Sequence, residues 1–240
     1  MALPFFYIEE INTTGSIVLS EETSKHIVQV LRMQQNEELH LTNGKGYLLH
    51  CKIIDDNRKK CVAEILASTY TKPLTPAVCI GISLIKNNTR FEWFLEKVTE
   101  MGVSTIIPLL CERTEKQNFK QERMNNILVS AMLQSQQVWL PVLHTPQKIN
   151  SIITTNQFDS RYIAHCEAES NKVQLSQQGV TPAKSKLILI GPEGDFTKDE
   201  IRLALQYQFI PVALGNTRLR TETAGIYAAT ILLSNSLPTQ

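Results

Sequence analysis

The chain has 240 residues, 42% of them hydrophobic, which suits one large or two modest domains with real cores and argues against a disordered chain. Its 24 Lys and Arg against 23 Asp and Glu leave a net charge of +1, so bulk charge cannot hold it on nucleic acid, and an RNA partner would have to meet a local basic patch. Cys51, Cys61, Cys79, Cys111 and Cys166 are widely spaced and form no C-x-x-C pair, which excludes a zinc site or disulfide framework of the usual spacing and reads as small buried hydrophobes in a reducing compartment. The first residues, Met1 to Tyr7, lack a basic region and a long apolar run, and no later stretch approaches the roughly 18 apolar residues of a membrane span. A cytoplasmic, soluble protein is the expectation.

In chain order, residues 1–72 read as short strands with one helix. Ile17 to Leu19 leads to Ser20-Glu21-Glu22, a helix start, and Ile27, Val30 and Leu31 give that helix an apolar stripe. Glu38 to Thr42, a turn at Asn43-Gly44-Lys45-Gly46, and Tyr47 to Ile54 form a hairpin signal, followed by a strand at Cys61 to Ala67. This is the pattern of a small β-barrel. The Gly-Lys-Gly precedes a strand rather than a helix, so it reads as a turn and not as half of a dinucleotide fingerprint.

Thr71 to Pro76 carries two prolines and is the evident linker, which places the domain boundary between residues 72 and 73. From there to residue 240 strands and helices alternate, the signature of a parallel α/β domain. Val78 to Ile85 and Thr105 to Leu110 are strands. Between them Thr89 to Met101 is a helix with Phe91, Phe94, Leu95, Val98 and Met101 on one face; Trp93 falls outside it. Glu122 to Gln137 reads as a helix, Asn150 to Thr155 as a short one, and Arg161 to His165 as a strand ending in His165-Cys166-Glu167, a tripeptide that without a second pair is a poor metal site. It is placed instead as a third loop beside the two described next. Lys172 to Lys186, with Gly179 and Pro182, reads as a surface loop.

The most informative stretch is Leu187-Ile188-Leu189-Ile190-Gly191-Pro192-Glu193-Gly194-Asp195-Phe196-Thr197-Lys198-Asp199-Glu200. A fully apolar run closed by glycine reads as a strand buried on both faces. Thr197 and Glu200 are then spaced as a capping box, with Phe196 and Ile201 as its hydrophobic staple. A second unit repeats the construction: Ile210 to Leu214 as strand, Gly215 as exit, and Thr221 or Thr223 as the cap of a helix running to about Leu233. Two such loops make a crevice at the carboxyl ends of the strands, where open α/β sheets bind ligands. Neither G-x-G-x-x-G nor G-x-x-x-x-G-K-[ST] is present, which disfavours the common nucleotide-binding alternatives.

Gly191-Pro192-Glu193-Gly194, taken with Leu214-Gly215 and Leu219-Arg220-Thr221-Glu222-Thr223-Ala224, resembles the paired signature of the knotted, SPOUT-class methyltransferases. More narrowly it is similar to the family that methylates N3 of a uridine in 16S ribosomal RNA. His26, Val30-Leu31-Arg32, Phe91-Glu92-Trp93, Glu96-Lys97, Glu100-Met101-Gly102 and Glu112-Arg113 extend the likeness over nearly the whole chain. Where many members carry a Glu-Gln-Ser run followed by arginine, this chain has Leu133-Gln134-Ser135-Gln136-Gln137, so an RNA contact made by that arginine does not transfer.

The resemblance implies an α/β-knot domain with a parallel sheet preceded by a PUA-like β-barrel, S-adenosylmethionine as cofactor, ribosomal RNA as partner, a homodimer, and no metal. It implies a cofactor grip by Ile190, Gly191, Glu193, Gly194, Leu214, Gly215, Leu219, Arg220, Thr221 and Thr223. Glycines at 191, 194 and 215 suit close backbone approach to a ligand. Uracil N3 carries a proton at neutral pH, so catalysis needs a group to stabilise the developing anion. Arg220, a planar guanidinium that stays charged, is the first candidate. Glu222 is the candidate base or partner of Arg220, against the alternative of a first-turn carboxylate complementing the helix dipole. Lys25, His26 and Arg32 in the first domain, with Lys86 and Arg113 after strands of the second, are the candidate RNA contacts. Ala224, Ala228, Ile231 and Leu232 on one stripe of the last helix are the candidate dimer face. A non-catalytic RNA-binding or ribosome-assembly protein explains the barrel but not the two elaborate loops, and a small-molecule enzyme explains the loops but not the barrel.

Overall fold

A computed structural model describes residues 3–115, 118–155, 157–167, 171–178 and 183–234. Two compact units divide the chain: Met1–Pro73 with Met132–Leu140, and Leu74–Ala131 with Pro141–Gln240. The first unit therefore takes in a segment that lies well beyond the proline linker.

In the first unit, β1 (Phe5–Tyr7), β2 (Ser16–Val18), β3 (Glu38–Thr42), β4 (Tyr47–Asp55) and β5 (Val62–Tyr70) form one half-barrel sheet in the order β1-β3-β4-β5-β2. Only the β1–β3 pair is parallel; Leu41 faces Leu49 across the β3–β4 hairpin. One core fills it, with Leu39, Leu41, Leu49, Cys51, Ile53, Cys61 and Ala63 fully buried. At the hairpin turn, a Cβ on Gly46, whose φ is +93°, would stand 2.7 Å from both the Trp139 ring and the Thr71 carbonyl oxygen. That crowding arises because the turn is a docking edge: Gly46 N–H donates to Val138 O at 2.8 Å, Leu140 N–H to Gly44 O at 2.9 Å, and Trp139 Nε1 to Thr71 O at 2.9 Å.

Helix α1 (Glu21–Lys25) starts as its sequence dictates, with Ser20 accepting from Thr23 N–H at the N-cap. It then widens into a π-helical turn, His26–Val30, where Leu31 N–H reaches back five residues to His26 O at 3.0 Å. The wider turn breaks the 3.6-residue period, so the expected stripe fails: Ile27 is buried, but Val30 is 67% and Leu31 45% exposed.

The second unit is built on an all-parallel sheet of β6 (Ala77–Ser83), β7 (Thr105–Leu110), β8 (Val142–Leu143), β9 (Gln147–Lys148), β10 (Ser160–Ala164), β11 (Val173–Gln174), β12 (Ser185–Ile190) and β13 (Ile210–Ala213). Its order is β11-β13-β10-β12-β6-β7-β8, with β9 also on β7. The helices are α2 (Asn88–Met101), α3 (Gln121–Gln134, whose last turn enters the first unit), α4 (Ile149–Ile153), α5 (Leu175–Gln178), α6 (Lys198–Gln206) and α7 (Thr221–Ser234). In α2 the Asn87 side chain caps the start and Gly102, at φ +89°, ends the helix in the left-handed region. Phe91, Phe94, Leu95 and Val98 are buried as their spacing requires, while Met101 reaches the surface.

Two expectations are corrected here. Lys172–Lys186 is not a plain surface loop: it supplies β11, α5 and the start of β12, with Leu175 fully buried and Lys186 only 2% exposed. Burial lowers the Lys186 pKa by desolvation, and a lysine inside a strand is what concealed the true start of β12. Gly179 and Pro182 lie outside the described residues. Second, of the stripe expected as a dimer face Ala224, Ala228 and Leu232 are buried within the unit, where α7 packs on β6, β12 and α2, and Ile231 is half-buried.

Candidate active site

The strand order decides where the site lies. Since β10 sits between β13 and β12, three parallel strands end side by side and deliver the loops after Ala164, Ile190 and Ala213 to one edge. Those loops enclose a cavity of about 530 Å³. Its wall includes the apolar Ile190, Val212, Leu214, Leu219 and Ala224 and the polar His165, Lys172, Glu193, Asp195, Arg218, Arg220 and Thr221.

The β12–α6 loop is held along its whole length. The Thr197 hydroxyl accepts from Glu200 N–H at 3.3 Å while the Glu200 carboxylate accepts from Thr197 N–H at 2.8 Å, a complete capping box. Phe196 and Ile201 join one buried cluster, as a staple requires. Glu200 also accepts from Glu112 N–H at 2.8 Å, tying the loop after β7 to the same helix start. Asp195, in the left-handed region at φ +64°, turns its carboxylate to Phe196 N–H at 2.8 Å and to Cys166 N–H at 2.7 Å. Thr221 Oγ1 donates to Gly191 O at 3.0 Å, so Thr221 links the two motif loops instead of capping α7. Arg220 stands before the first turn, where its carbonyl accepts from Ala224 N–H at 2.8 Å.

The β13–α7 loop is different. Gly215, Asn216, Thr217, Arg218 and Arg220 are exposed, and Gly215 has φ +108° with nothing within 4 Å of where a Cβ would stand. The backbone there borders open space.

Of the residues singled out for the cofactor, Ile190, Gly191, Glu193, Leu214, Gly215, Leu219, Arg220 and Thr221 line the cavity. Gly194 and Thr223 do not. Gly194 faces Arg113, with Cδ 3.4 Å from an added Cβ, and Thr223 lies exposed on α7. Glu222 is buried and absent from the wall; its ion-pair partner among the described residues is Arg90, at 3.7 Å, not Arg220. The geometry thus favours the first-turn structural reading of Glu222 over that of a base.

The candidate RNA contacts divide between the two units. In the first unit Lys25 pairs with Glu21 at 2.8 Å, His26 packs edge-on against Phe6, and Arg32 has φ +57°. In the second unit Lys86 pairs with Glu115 at 3.2 Å, and Arg113 Nη1 donates to Gly194 O at 2.7 Å.

The third loop, placed beside the crevice from its sequence, does supply His165 and Cys166 to the wall, and Lys172 joins them without having been singled out. His165 is buried, and Lys172 Nζ donates to its carbonyl oxygen at 3.1 Å. Burial first, and Lys172 second, lower the His165 pKa, partly opposed by Asp195 and Glu167. Cys166 is exposed on the wall, contrary to the reading of all five cysteines as buried. The other four are buried; burial pushes the thiols of Cys51 and Cys61 up to about 11 and that of Cys111 up to about 12. The one sequence signal for the third loop was its position after an apolar strand. Among the described residues no group of three or more His, Cys, Asp and Glu is placed to hold a metal ion, and no helix is long and apolar enough to cross a membrane.

An RNA methyltransferase domain family matches residues 72–233, and an RNA methyltransferase PUA domain family matches residues 19–66. The chain belongs to the RNA methyltransferase family. Among relatives of this family, ribosomal RNA small subunit methyltransferase E of Buchnera aphidicola (subspecies Acyrthosiphon pisum) is 30% identical over 96% of this chain and 92% of its own. The crystal structure of a probable rRNA-methyltransferase from Porphyromonas gingivalis is 35% identical, covers 98% of each chain, and superposes with a TM-score of 0.88. A ribosomal RNA small subunit methyltransferase E from Neisseria gonorrhoeae, solved bound to S-adenosyl methionine, is 25% identical with a TM-score of 0.82 over 97% of this chain and 98% of its own. The fold is accordingly the SPOUT type, a PUA domain followed by a parallel α/β methyltransferase domain.

Proposed function

We propose that this protein transfers the methyl group of S-adenosylmethionine to small-subunit ribosomal RNA, at N3 of a uridine as its motifs imply, and that it acts in the cytoplasm as a homodimer. The observation that carries the reading is the three-loop cavity at the carboxyl edge of the parallel sheet, with Arg220 on its wall. Its size and mixed lining fit a nucleoside joined to an amino acid: Ile190, Val212, Leu214 and Leu219 suit the faces of a flat base, and the polar rim suits hydroxyl and charged groups. Open space beside Gly215 lets backbone approach the ligand closely.

The bound cofactor supplies an electrophilic sulfonium methyl. The protein has to hold the base at attack distance and keep water out, tasks suited to a fixed cavity. Arg220, exposed at the start of α7, offers paired donors to a uracil carbonyl oxygen as N3 loses its proton and charge builds there. Glu222, buried against Arg90, holds the helix start that carries Arg220. For the dimer, the exposed Trp93 on α2 and Tyr227 on α7 replace the buried α7 stripe as the surface to test.

The deciding experiment incubates the protein with labelled S-adenosylmethionine and small ribosomal subunits, then maps the labelled base. Label at uridine N3 supports the activity, the cofactor and the target atom together. Label on another base removes the N3 assignment, and S-adenosylhomocysteine failing to raise the melting temperature removes the cofactor.

A further inference from the structure

Between β12 and α6, four consecutive carbonyl groups are all taken by protein donors. Gly191 O accepts from the Thr221 hydroxyl at 3.0 Å, and Pro192 O from Asp195 N–H at 2.9 Å. Glu193 O accepts from Arg218 Nη2 at 3.2 Å and Gly194 O from Arg113 Nη1 at 2.7 Å. With its acceptors engaged, this segment of the wall has amide donors left to offer a ligand. The two guanidinium groups come from different places, the loop after β7 and the loop after β13, and they grip adjacent residues. Hydrogen bonds from a charged donor are stronger than neutral ones, and two at neighbouring carbonyls fix the orientation of the peptide between them. The Arg113 stem adds a steric stop, since its Cδ would lie 3.4 Å from a Cβ on Gly194.

We infer that Arg113 and Arg218 are positioning residues for the cofactor: as a two-sided brace they hold the Glu193–Gly194 peptide in the conformation that keeps Glu193 on the cavity wall. This rests on the cofactor occupying that cavity, as proposed above. It changes the reading of Arg113, whose charge is spent on a backbone carbonyl of this loop rather than displayed for an RNA phosphate. Both side chains are exposed, so each hydrogen bond contributes modestly and the pair is needed for the full effect.

The test uses the full-length protein and Arg113→Met, Arg218→Met and the double variant, methionine keeping the apolar stem while removing the donors. Calorimetric titration with S-adenosylhomocysteine should show affinity reduced about fivefold in each single variant, the effect of an ordinary net hydrogen bond, since exposure to solvent weakens the charged donor. The double variant should lose more than either. KM for S-adenosylmethionine should rise in parallel, while in Arg113→Met, whose side chain lies off the cavity wall, kcat at saturating cofactor, the melting temperature without ligand, and subunit RNA affinity stay near the parent values. Arg113→Lys, which can still reach one carbonyl, should recover much of the loss.

Unchanged S-adenosylhomocysteine affinity in the double variant overturns the inference and leaves the cofactor reading intact. Weakened RNA binding with intact cofactor affinity also overturns it, and returns Arg113 to phosphate contact. Failure of the parent protein to bind S-adenosylhomocysteine overturns the cofactor reading and the brace together.

Discussion

The two motif loops lie side by side at one sheet edge and keep their shape by opposite means. The β12–α6 loop is fixed from every side, by a capping box, by Thr221, and by two arginines on adjacent carbonyls. The β13–α7 loop exposes every residue from Gly215 to Arg218 and leaves open space beside Gly215. Rigid backbone suits a surface that must be complementary to a ligand before it arrives. A loop with room around it suits groups that close on a second substrate. On the proposed reading the pair divides into a preorganised wall and a chemical loop, tied to each other through Arg218 and Thr221, and this division is open to direct attack.

The largest effect should come from the chemical loop. Arg220→Ala is expected to lower turnover on small subunits by at least about a hundredfold, the loss typical of removing one donor to a developing oxyanion. S-adenosylhomocysteine affinity should change little, because the wall stays in place. Near-normal turnover would break the division by leaving the exposed loop without a chemical role.

Glu222→Gln comes next, at the hinge between that loop and α7. Its ion pair with Arg90 is 3.7 Å long, with Arg90 46% exposed at the side chain, so roughly 1 kcal/mol of stability is at stake. For a chain of this length that lowers the melting temperature by about 2–4 °C. The pH-rate profile should keep its deprotonation limb. A lost limb with unchanged melting temperature would restore Glu222 as the base.

Thr197→Ala attacks the rigid wall instead. Removing a cap hydroxyl costs about 1 kcal/mol, and here the loss is compounded where Glu200 also holds Glu112 N–H. The expected readout is a melting temperature lower by a few degrees with kcat at saturating cofactor retained. A collapse of kcat with unchanged stability would show that the wall, too, takes part in chemistry.

How much of this was legible depended on the range of the interactions. The capping box is written in residues three apart and was read correctly, as were the strands Glu38–Thr42 and Thr105–Leu110. The π-helical turn was not legible, because His26–Val30 carries the same apolar spacing as an ordinary helix and only the tertiary structure shows the wider winding. The glycines of Asn43-Gly44-Lys45-Gly46 could be read as a turn, but their crowding by Trp139 and Leu140 needs a segment some ninety positions away, a separation local patterns do not encode. In the site, both motif loops announced themselves by glycine and polar residues. Lys172 did not, since it joins the wall only because β10 inserts between β12 and β13. The brace escaped notice for a related reason: an exposed arginine after a strand looks the same whether it meets RNA or a carbonyl.

The smallest effect expected is a pH dependence at the floor of the third loop. His165 is buried on the cavity wall, facing Lys172, Asp195 and Glu167, and its pKa is lowered, first by desolvation and then by Lys172. The folded chain therefore favours the neutral imidazole. As pH falls through about 6.5, the ordinary value for histidine, the unfolded chain takes up its proton while the folded chain does not. Stability then declines until the pH passes below the folded pKa, where the full penalty is reached. His165→Gln removes the titration and keeps a polar side chain. Between pH 7.5 and 5.5 the parent protein should lose more melting temperature than this variant does. The same comparison with S-adenosylhomocysteine bound should show a steeper decline for the parent if a protonated His165 disturbs the wall. Equal declines in parent and variant would mean that the lowered pKa at His165 has no influence on folding.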